Sequence, residues 1–275
     1  MKRSLALLLS LAMLLLCGCG AEQSASRAEG ITIAVLDTGV STTAIQSEYL
    51  LSGWNYVTQS ADTEDRINHG TAVVSVILGC ESAGIEANAP DARIVPLVIT
   101  DKVDGDVQSV APDVLAQVIR ESVDKYGADI INVSLGTKKD DPALRDAVSY
   151  AQKKGALVIA AAGNEGESEE LYYPAAYEDV LTVGSHDKNL KVSSFTQRNG
   201  TVDILAPGED IWLASRNGKT YGAKGTSYAT GYVSAAAALL WQSDLTQTSE
   251  EINQAILSTA QTVDGWLLLH TDAAQ

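Results

Sequence analysis

Six apolar runs of strand length set the strongest limit on what this chain can fold into: residues 31–36, 93–99, 129–135, 156–162, 180–184 and 202–205. They are rich in Val and Ile and do not alternate cleanly between apolar and polar residues. Successive side chains of a strand point to opposite faces, so a strand with one wet face must alternate, while one covered on both faces need not. Runs of the second kind belong to parallel sheets, whose crossover helices bury both faces. Helical patterns do lie between the runs. Residues 113–125 place Leu115, Val118, Ile119 and Val123 on one face. Asp141 can cap the next helix, Pro142 suits its first turn, and Gly155 ends it after Lys153-Lys154. Thr248-Ser249-Glu250-Glu251 is a capping-box pattern opening a C-terminal helix. The expected fold class is α/β: a single domain with a central, mostly parallel, twisted sheet and helices on both faces. No internal repeat and no linker suggests a second domain, and 275 residues suffice for one sizeable core.

The N-terminus is a different material. Lys2 and Arg3 precede an apolar run over residues 4–16 that is short for a bilayer span and typical of a signal peptide. The run ends in Leu16-Cys17-Gly18-Cys19, which resembles the bacterial lipobox. That resemblance implies cleavage between Gly18 and Cys19. Residues 1–18 are then a signal peptide, and residues 19–29 are a lipidated Cys19 with a short tether. Residues 30–275 form the folded domain. The expected location is extracytoplasmic, anchored to the bacterial cell membrane through Cys19. An ordinary signal peptide that happens to contain cysteines is the alternative. Once Cys17 is removed and Cys19 carries lipid, Cys80 stands alone, so no intrachain disulfide framework is available. Cys80 is expected to be a small buried hydrophobe. The net charge of -16 argues against nucleic acid as a partner, because phosphate binding needs a basic face.

Three short segments carry chemistry. In the first, a buried strand delivers Asp37, within Asp37-Thr38-Gly39, to its carboxyl end, where parallel sheets build their sites. Aspartic proteases share this tripeptide, but they need two such aspartates in an all-β setting. In the second, Asn68-His69-Gly70-Thr71 enters an apolar helix, so His69 can present its ring from a rigid first turn. In the third, Gly225-Thr226-Ser227 opens a nearly all-apolar helix, where backbone N–H groups and the helix dipole favour negative charge. Each alone has a plain structural reading: a strand-ending Asp, a structural His, a Ser cap.

Together, in the order Asp, His, Ser, the three segments resemble the subtilisin family. Alpha/beta-hydrolases order their residues differently and place the nucleophile in Gly-x-Ser-x-Gly, whereas residue 229 here is Ala. The resemblance extends to Ile130-Ile131-Asn132-Val133-Ser134-Leu135-Gly136, to Ala162-Gly163-Asn164-Glu165-Gly166, to Tyr173-Pro174-Ala175 and to Ala206-Pro207-Gly208. It covers about residues 31–260. The chain departs from the family's pattern at Ala72, commonly His, and at Gly231, commonly Pro.

The resemblance implies a secreted, lipid-anchored serine endopeptidase that hydrolyses peptide bonds through an acyl-enzyme. Asp37, His69 and Ser227 would form the triad, and Asn164 would donate to the oxyanion. Ser134, Leu135 and Gly136 would pair with an extended substrate, and Gly163 would leave room beside the pocket for the leading side chain, the one preceding the scissile bond. Aligned through Tyr173-Pro174, Tyr172 would narrow the pocket floor. Glu165 could favour a basic side chain at the rim or simply be solvated. The chemistry requires no cofactor. A structural calcium, common in the family, could sit in the loop over residues 79–90, with no ligand nameable from sequence. The expected partners are polypeptide substrates and, through the lipid, the membrane; a monomer is expected. Secreted relatives usually carry a folding propeptide, for which the tether is too short, so the domain is expected to fold unaided or with a separate chain. The competing function is a catalytically silent family member that binds or regulates. A generic substrate-binding lipoprotein would explain the leader but none of the three segments.

Overall fold

The computed structural model describes residues 30–270. The expected signal peptide, Cys19 and the tether lie outside the described residues. The first strand, β1 (Thr32–Asp37), is buried along its whole length. Ile33 and Val35 enter one apolar core, while Ala34 and Leu36 enter another on the opposite face. That two-sided burial is why the run does not alternate.

The main sheet also holds β2 (Trp54–Asn55), β3 (Arg93–Val98), β6 (Ile130–Val133), β7 (Leu157–Ala161), β8 (Leu181–His186), β9 (Ile204–Pro207), β12 (Gln261–Val263) and β13 (Trp266–Leu268). Its order is β12-β13-β9-β8-β7-β6-β1-β3-β2. All neighbouring pairs are parallel except the terminal hairpin β12–β13. One core layer lies under α1 (Gly70–Leu78), α4 (Thr226–Ser243) and α5 (Ser249–Thr259). The other lies under α2 (Pro112–Asp124) and α3 (Pro142–Lys153). The anticipated caps are present: Asp141 accepts from the Ala143 N–H, and Thr248 with Glu251 forms the capping box.

β1 starts mid-sheet and is flanked by β3 on one side and β6 on the other. The chain reverses its direction of travel across the sheet there, and such a switch point opens a crevice at the strands' carboxyl ends. Asp37 is the last residue of β1 and stands at that crevice.

Two short hairpins lie outside the main sheet: β4 (Thr100–Val103) with β5 (Asp106–Ser109), and β10 (Ile211–Ala214) with β11 (Thr220–Ala223). These and the terminal hairpin escape sequence reading because their strands are brief and partly or wholly exposed. The 202–205 run is shifted, forming Ile204–Pro207, and the 180–184 run extends to His186 as β8. Cys80 is buried, its thiol directed at the Ala44 carbonyl at 3.1 Å. Among the described residues no helix is long and apolar enough to cross a membrane.

Candidate active site

Asp37 and His69 meet directly: Nδ1 of His69 lies 2.7 Å from Oδ1 of Asp37. Asp37 is buried, and the Thr38 N–H donates to the same oxygen at 2.7 Å. Oδ2 of Asp37 accepts no hydrogen bond among the described residues, so part of the carboxylate's charge stays available to the imidazole. His69 is the N-cap of α1, and its carbonyl accepts from Val73 N–H. The following Gly70 makes the approach possible. A Cβ there would stand 2.2 Å from the Gly39 carbonyl oxygen and 3.1 Å from Oδ1 of Asp37.

A residue that sequence reasoning missed fixes this corner. Asp65, fully buried, accepts from Thr38 Oγ1 (2.9 Å), Ile67 N–H (2.9 Å) and Asn68 N–H (2.8 Å) on one oxygen. Its other oxygen accepts from the Thr71 N–H (2.9 Å) and hydroxyl (2.7 Å). One carboxylate thereby ties the loop before His69 to the strand bearing Asp37 and to the first turn of α1. Its only sequence signal is an acid four residues before the histidine in an otherwise unremarkable polar loop.

Burial by itself would lower the pKa of His69. The charge of Asp37, its hydrogen bond and the charge of Asp65 together outweigh that, and hold the imidazole above its ordinary 6.5.

Ser227 is buried in the first turn of α4. Its hydroxyl donates to the Ser134 carbonyl at 2.9 Å rather than to His69, so the hydroxyl must be redirected before its proton can pass to the imidazole. The Tyr228 ring lies against His69, with centroids 5.6 Å apart. Ser134 returns a bond from its own hydroxyl to the Ser227 carbonyl at 3.3 Å. Asn132 extends the bracing between β6 and α4: its amide donates to Ser134 Oγ at 2.8 Å and accepts from Ser234 at 2.9 Å. Leu135 is half-buried and Gly136 exposed. Their backbone groups have no hydrogen bond among the described residues and are open to an extended chain.

Asn164 lies beyond the end of β7, and its Oδ1 accepts from the Thr226 N–H at 2.9 Å and hydroxyl at 3.0 Å. A backbone N–H can only donate, so it must meet the amide oxygen. This sets the flip of Asn164 and turns Nδ2 away as a free donor beside Gly225-Thr226-Ser227.

On the pocket side Glu165 is exposed but paired. It accepts from the Tyr172 hydroxyl at 2.6 Å and from Lys138 Nζ at 2.9 Å, and Lys138 also contacts Glu170. The Tyr172 and Lys138 hydrogen bonds hold the Glu165 carboxyl down to about 2. The space that Gly163 leaves is not vacant, because the Tyr172 ring lies against it.

Several backbone groups of the 79–90 loop are paired within the protein. The N–H and carbonyl groups of Cys80 and Ile85 pair with each other, and the Ile77 carbonyl accepts from the Asn88 and Ala89 N–H groups. The Asn88 side chain turns its amino group to the Val76 carbonyl. Among the described residues no group of three His, Cys, Asp or Glu side chains is placed to hold a metal.

Comparison with known proteins agrees with this geometry. The profile of the Subtilase family matches residues 28–272. The major intracellular serine protease of Bacillus subtilis (strain 168) is 38% identical over 225 residues, covering 78% of this chain and 69% of that protein. Subtilisin Savinase of Lederbergia lenta is 34% identical over 234 residues, with 84% and 83% covered. The thermophilic serine proteinase of Bacillus sp. (strain AK1) is 36% identical over 240 residues, and the match spans 58% of its length. Among solved structures, a cold adapted subtilisin-like serine proteinase superposes with a TM-score of 0.77 at 27% identity, covering 88% of this chain and 89% of that one. A mutant of the protease domain of PatA gives 0.76 at 30% identity, covering 90% and 95%. This chain belongs to the subtilase family, whose members are serine endopeptidases of the Asp-His-Ser type.

Proposed function

We propose that this protein is a lipid-anchored serine endopeptidase outside the cytoplasm in which Ser227 is the nucleophile, His69 the general base and acid, and Asp37 the group that orients and charges the imidazole. The observation that carries the reading is the 2.7 Å contact of His69 Nδ1 with Asp37 Oδ1. A carboxylate on Nδ1 keeps that nitrogen protonated and leaves Nε2 as the base. Ser227 turns from the Ser134 carbonyl, gives its proton to His69 and attacks the scissile carbonyl; His69 then protonates the leaving amine. The free Nδ2 of Asn164 and the Ser227 N–H receive the oxyanion. Ser134, Leu135 and Gly136 take the substrate as an added strand. No cofactor enters this chemistry, and a structural calcium, common in the family, is not part of it.

The anchor rests on the leader sequence: Lys2-Arg3, the apolar stretch and Leu16-Cys17-Gly18-Cys19 support signal-peptide removal after Gly18 and lipid on Cys19. Replacing Cys19 by Ala should release the protein from the membrane fraction; identical partitioning of variant and wild type would reject the anchor.

One observation favours the second reading, a silent binding protein: the Ser227 hydroxyl rests on Ser134 instead of His69. Labelling with a serine-directed phosphonate separates the two. The peptidase reading expects one adduct on Ser227, lost in Ser227→Ala together with hydrolysis. A folded protein that stays unlabelled and leaves peptides intact is the silent member.

A further inference from the structure

The hydrogen bond from His69 to Asp37 holds one edge of the imidazole. A single contact at Nδ1 leaves the ring free to swing about that point, and every such swing displaces Nε2, the atom that must meet the nucleophile. A second contact has to fix the ring, and it comes from the nucleophile's own helix turn. Tyr228 directly follows Ser227 in α4, is 8% exposed, and lays its ring against the imidazole, with centroids 5.6 Å apart and planes tilted by 38°. That separation is within the range in which an aromatic face attracts a cation.

Tyr228 is itself held on three sides. Its N–H donates to the Gly225 carbonyl at 3.2 Å, and its ring lies beside Gly225, where a Cβ would stand 3.5 Å from Cε2. Its hydroxyl is directed to that of Tyr221 in β11. Tyr221 in turn donates to the Asn68 carbonyl at 3.3 Å. Asn68 immediately precedes His69 and has φ +79°, a left-handed conformation that few residues other than glycine adopt. Its Oδ1 accepts from the Arg216 N–H at 2.6 Å, so the β10–β11 hairpin secures this residue at two points. A closed circuit results: Ser227 leads to Tyr228, whose hydroxyl leads through Tyr221 to the backbone before His69, while its ring meets the His69 imidazole.

We propose that Tyr228 is a positioning residue for the general base: its ring fixes the imidazole relative to the helix turn that bears Ser227 and stabilises the imidazolium formed when Ser227 gives up its proton. This rests on the endopeptidase reading. A tyrosine that merely fills space would affect stability alone. The ionisable groups around the imidazole are Asp37 from β1, Asp65 from the loop before it, Tyr228 from α4 and Tyr221 from β11, and the Arg216 guanidinium lies 3.4 Å from the Asp65 carbonyl. Burial pushes the Tyr228 phenol well above its ordinary value, and Tyr221, Asp37 and Asp65 push the same way, so it stays neutral while His69 titrates.

The test follows the His69 imidazole by nitrogen-15 NMR titration in Ser227→Ala protein, with and without Tyr228→Leu or Tyr228→Phe, and measures kcat and KM of the two Tyr228 variants on a peptide anilide. Tyr228→Leu should lower the imidazole pKa by about half a unit or more. It should also lower kcat by about fivefold or more with KM little changed. Tyr228→Phe keeps the ring and should recover most of both. A folded Tyr228→Leu with the wild-type titration and kcat overturns the inference. So does a change in KM alone, or a Tyr228→Phe that falls as far as Tyr228→Leu. If Tyr228→Leu does not fold, a pentafluorophenyl ring at position 228 keeps the shape and reverses the charge on the ring face. The imidazole pKa should then fall below that of Tyr228→Phe, and equal values reject the ring contact. Absence of both hydrolysis and phosphonate labelling is a failure of the peptidase reading instead; the titration needs no turnover and still decides whether Tyr228 stabilises the imidazolium.

Discussion

The two sides of the cleft are held together by different physics. The acid–base corner is braced by buried, charge-assisted hydrogen bonds: Asp37 to His69, and Asp65 to five donors. The pocket rim is braced by exposed charges, with Lys138 between Glu165 and Glu170 and Arg198 on Glu167. A buried carboxylate that loses its donors cannot recover them from water, while exposed ions can. The first arrangement therefore fixes geometry to the precision that proton transfer needs. The second leaves the rim able to change sequence without unfolding the protein.

Removing the centre of the buried corner tests the contrast at its strongest point. Asp65→Ala strands the buried Thr71 N–H and the half-buried N–H groups of Ile67 and Asn68, and should cost about 3 kcal/mol of stability, seen as a large fall in Tm by calorimetry. A loss no larger than that of a surface substitution would mean that Asp65 does not hold the corner.

Next in size is Asn164→Asp. The carboxylate can still accept both bonds from Thr226, but the free Nδ2 donor is gone. The expected result is a near-native melt with kcat lowered about 100- to 1,000-fold and KM little changed, the size measured for the same kind of donor in subtilisin. Wild-type kcat, or activity lost only in step with folded protein, would exclude Asn164 from the oxyanion site.

The pH profile comes third. The base must be neutral, so kcat/KM should rise with pH through an inflection above 6.5, because Asp37 and Asp65 favour the imidazolium against burial. Stability runs the other way. A histidine whose folded pKa is raised contributes fully below its unfolded value, and that contribution is lost as pH rises through the folded one. Asp65→Asn should move the inflection down. A profile flat between about pH 6 and 8, with chemistry limiting, speaks against this triad.

The smallest effect belongs to the rim. Lys138→Ala should shift Tm by less than about 2 °C, and raising the salt concentration should shrink even that. A shift as large as that of Asp65→Ala would erase the distinction between the two sides.

Sequence legibility divides along similar lines. The helix caps at Asp141 and Thr248 are local, set by residues three or fewer apart, and they stand where the sequence puts them. Asp65, Asn132 and Gln197 are polar residues in loops or a strand that each accept from a distant segment, from Thr38, Ser234 and the Glu165 N–H, and no local pattern distinguishes them from solvated neighbours. The ion pair of Glu165 was illegible for the same reason: its partner Lys138 is 27 residues away.

By itself the sequence determined the parallel sheet with both faces covered, because burial on two sides removes alternation from each strand and that loss is written in every run. It also determined the residue types at Asp37, His69, Asn164 and Ser227, since each sits beside local structure that only a strand end or helix start supplies. The tertiary structure alone decided which oxygen of Asp37 meets His69, which way the Asn164 amide faces, and that the Tyr172 hydroxyl and Lys138 meet on Glu165. Those outcomes depend on side-chain directions across crossover connections, where a difference of one rotamer, invisible in sequence, separates a paired group from a free one.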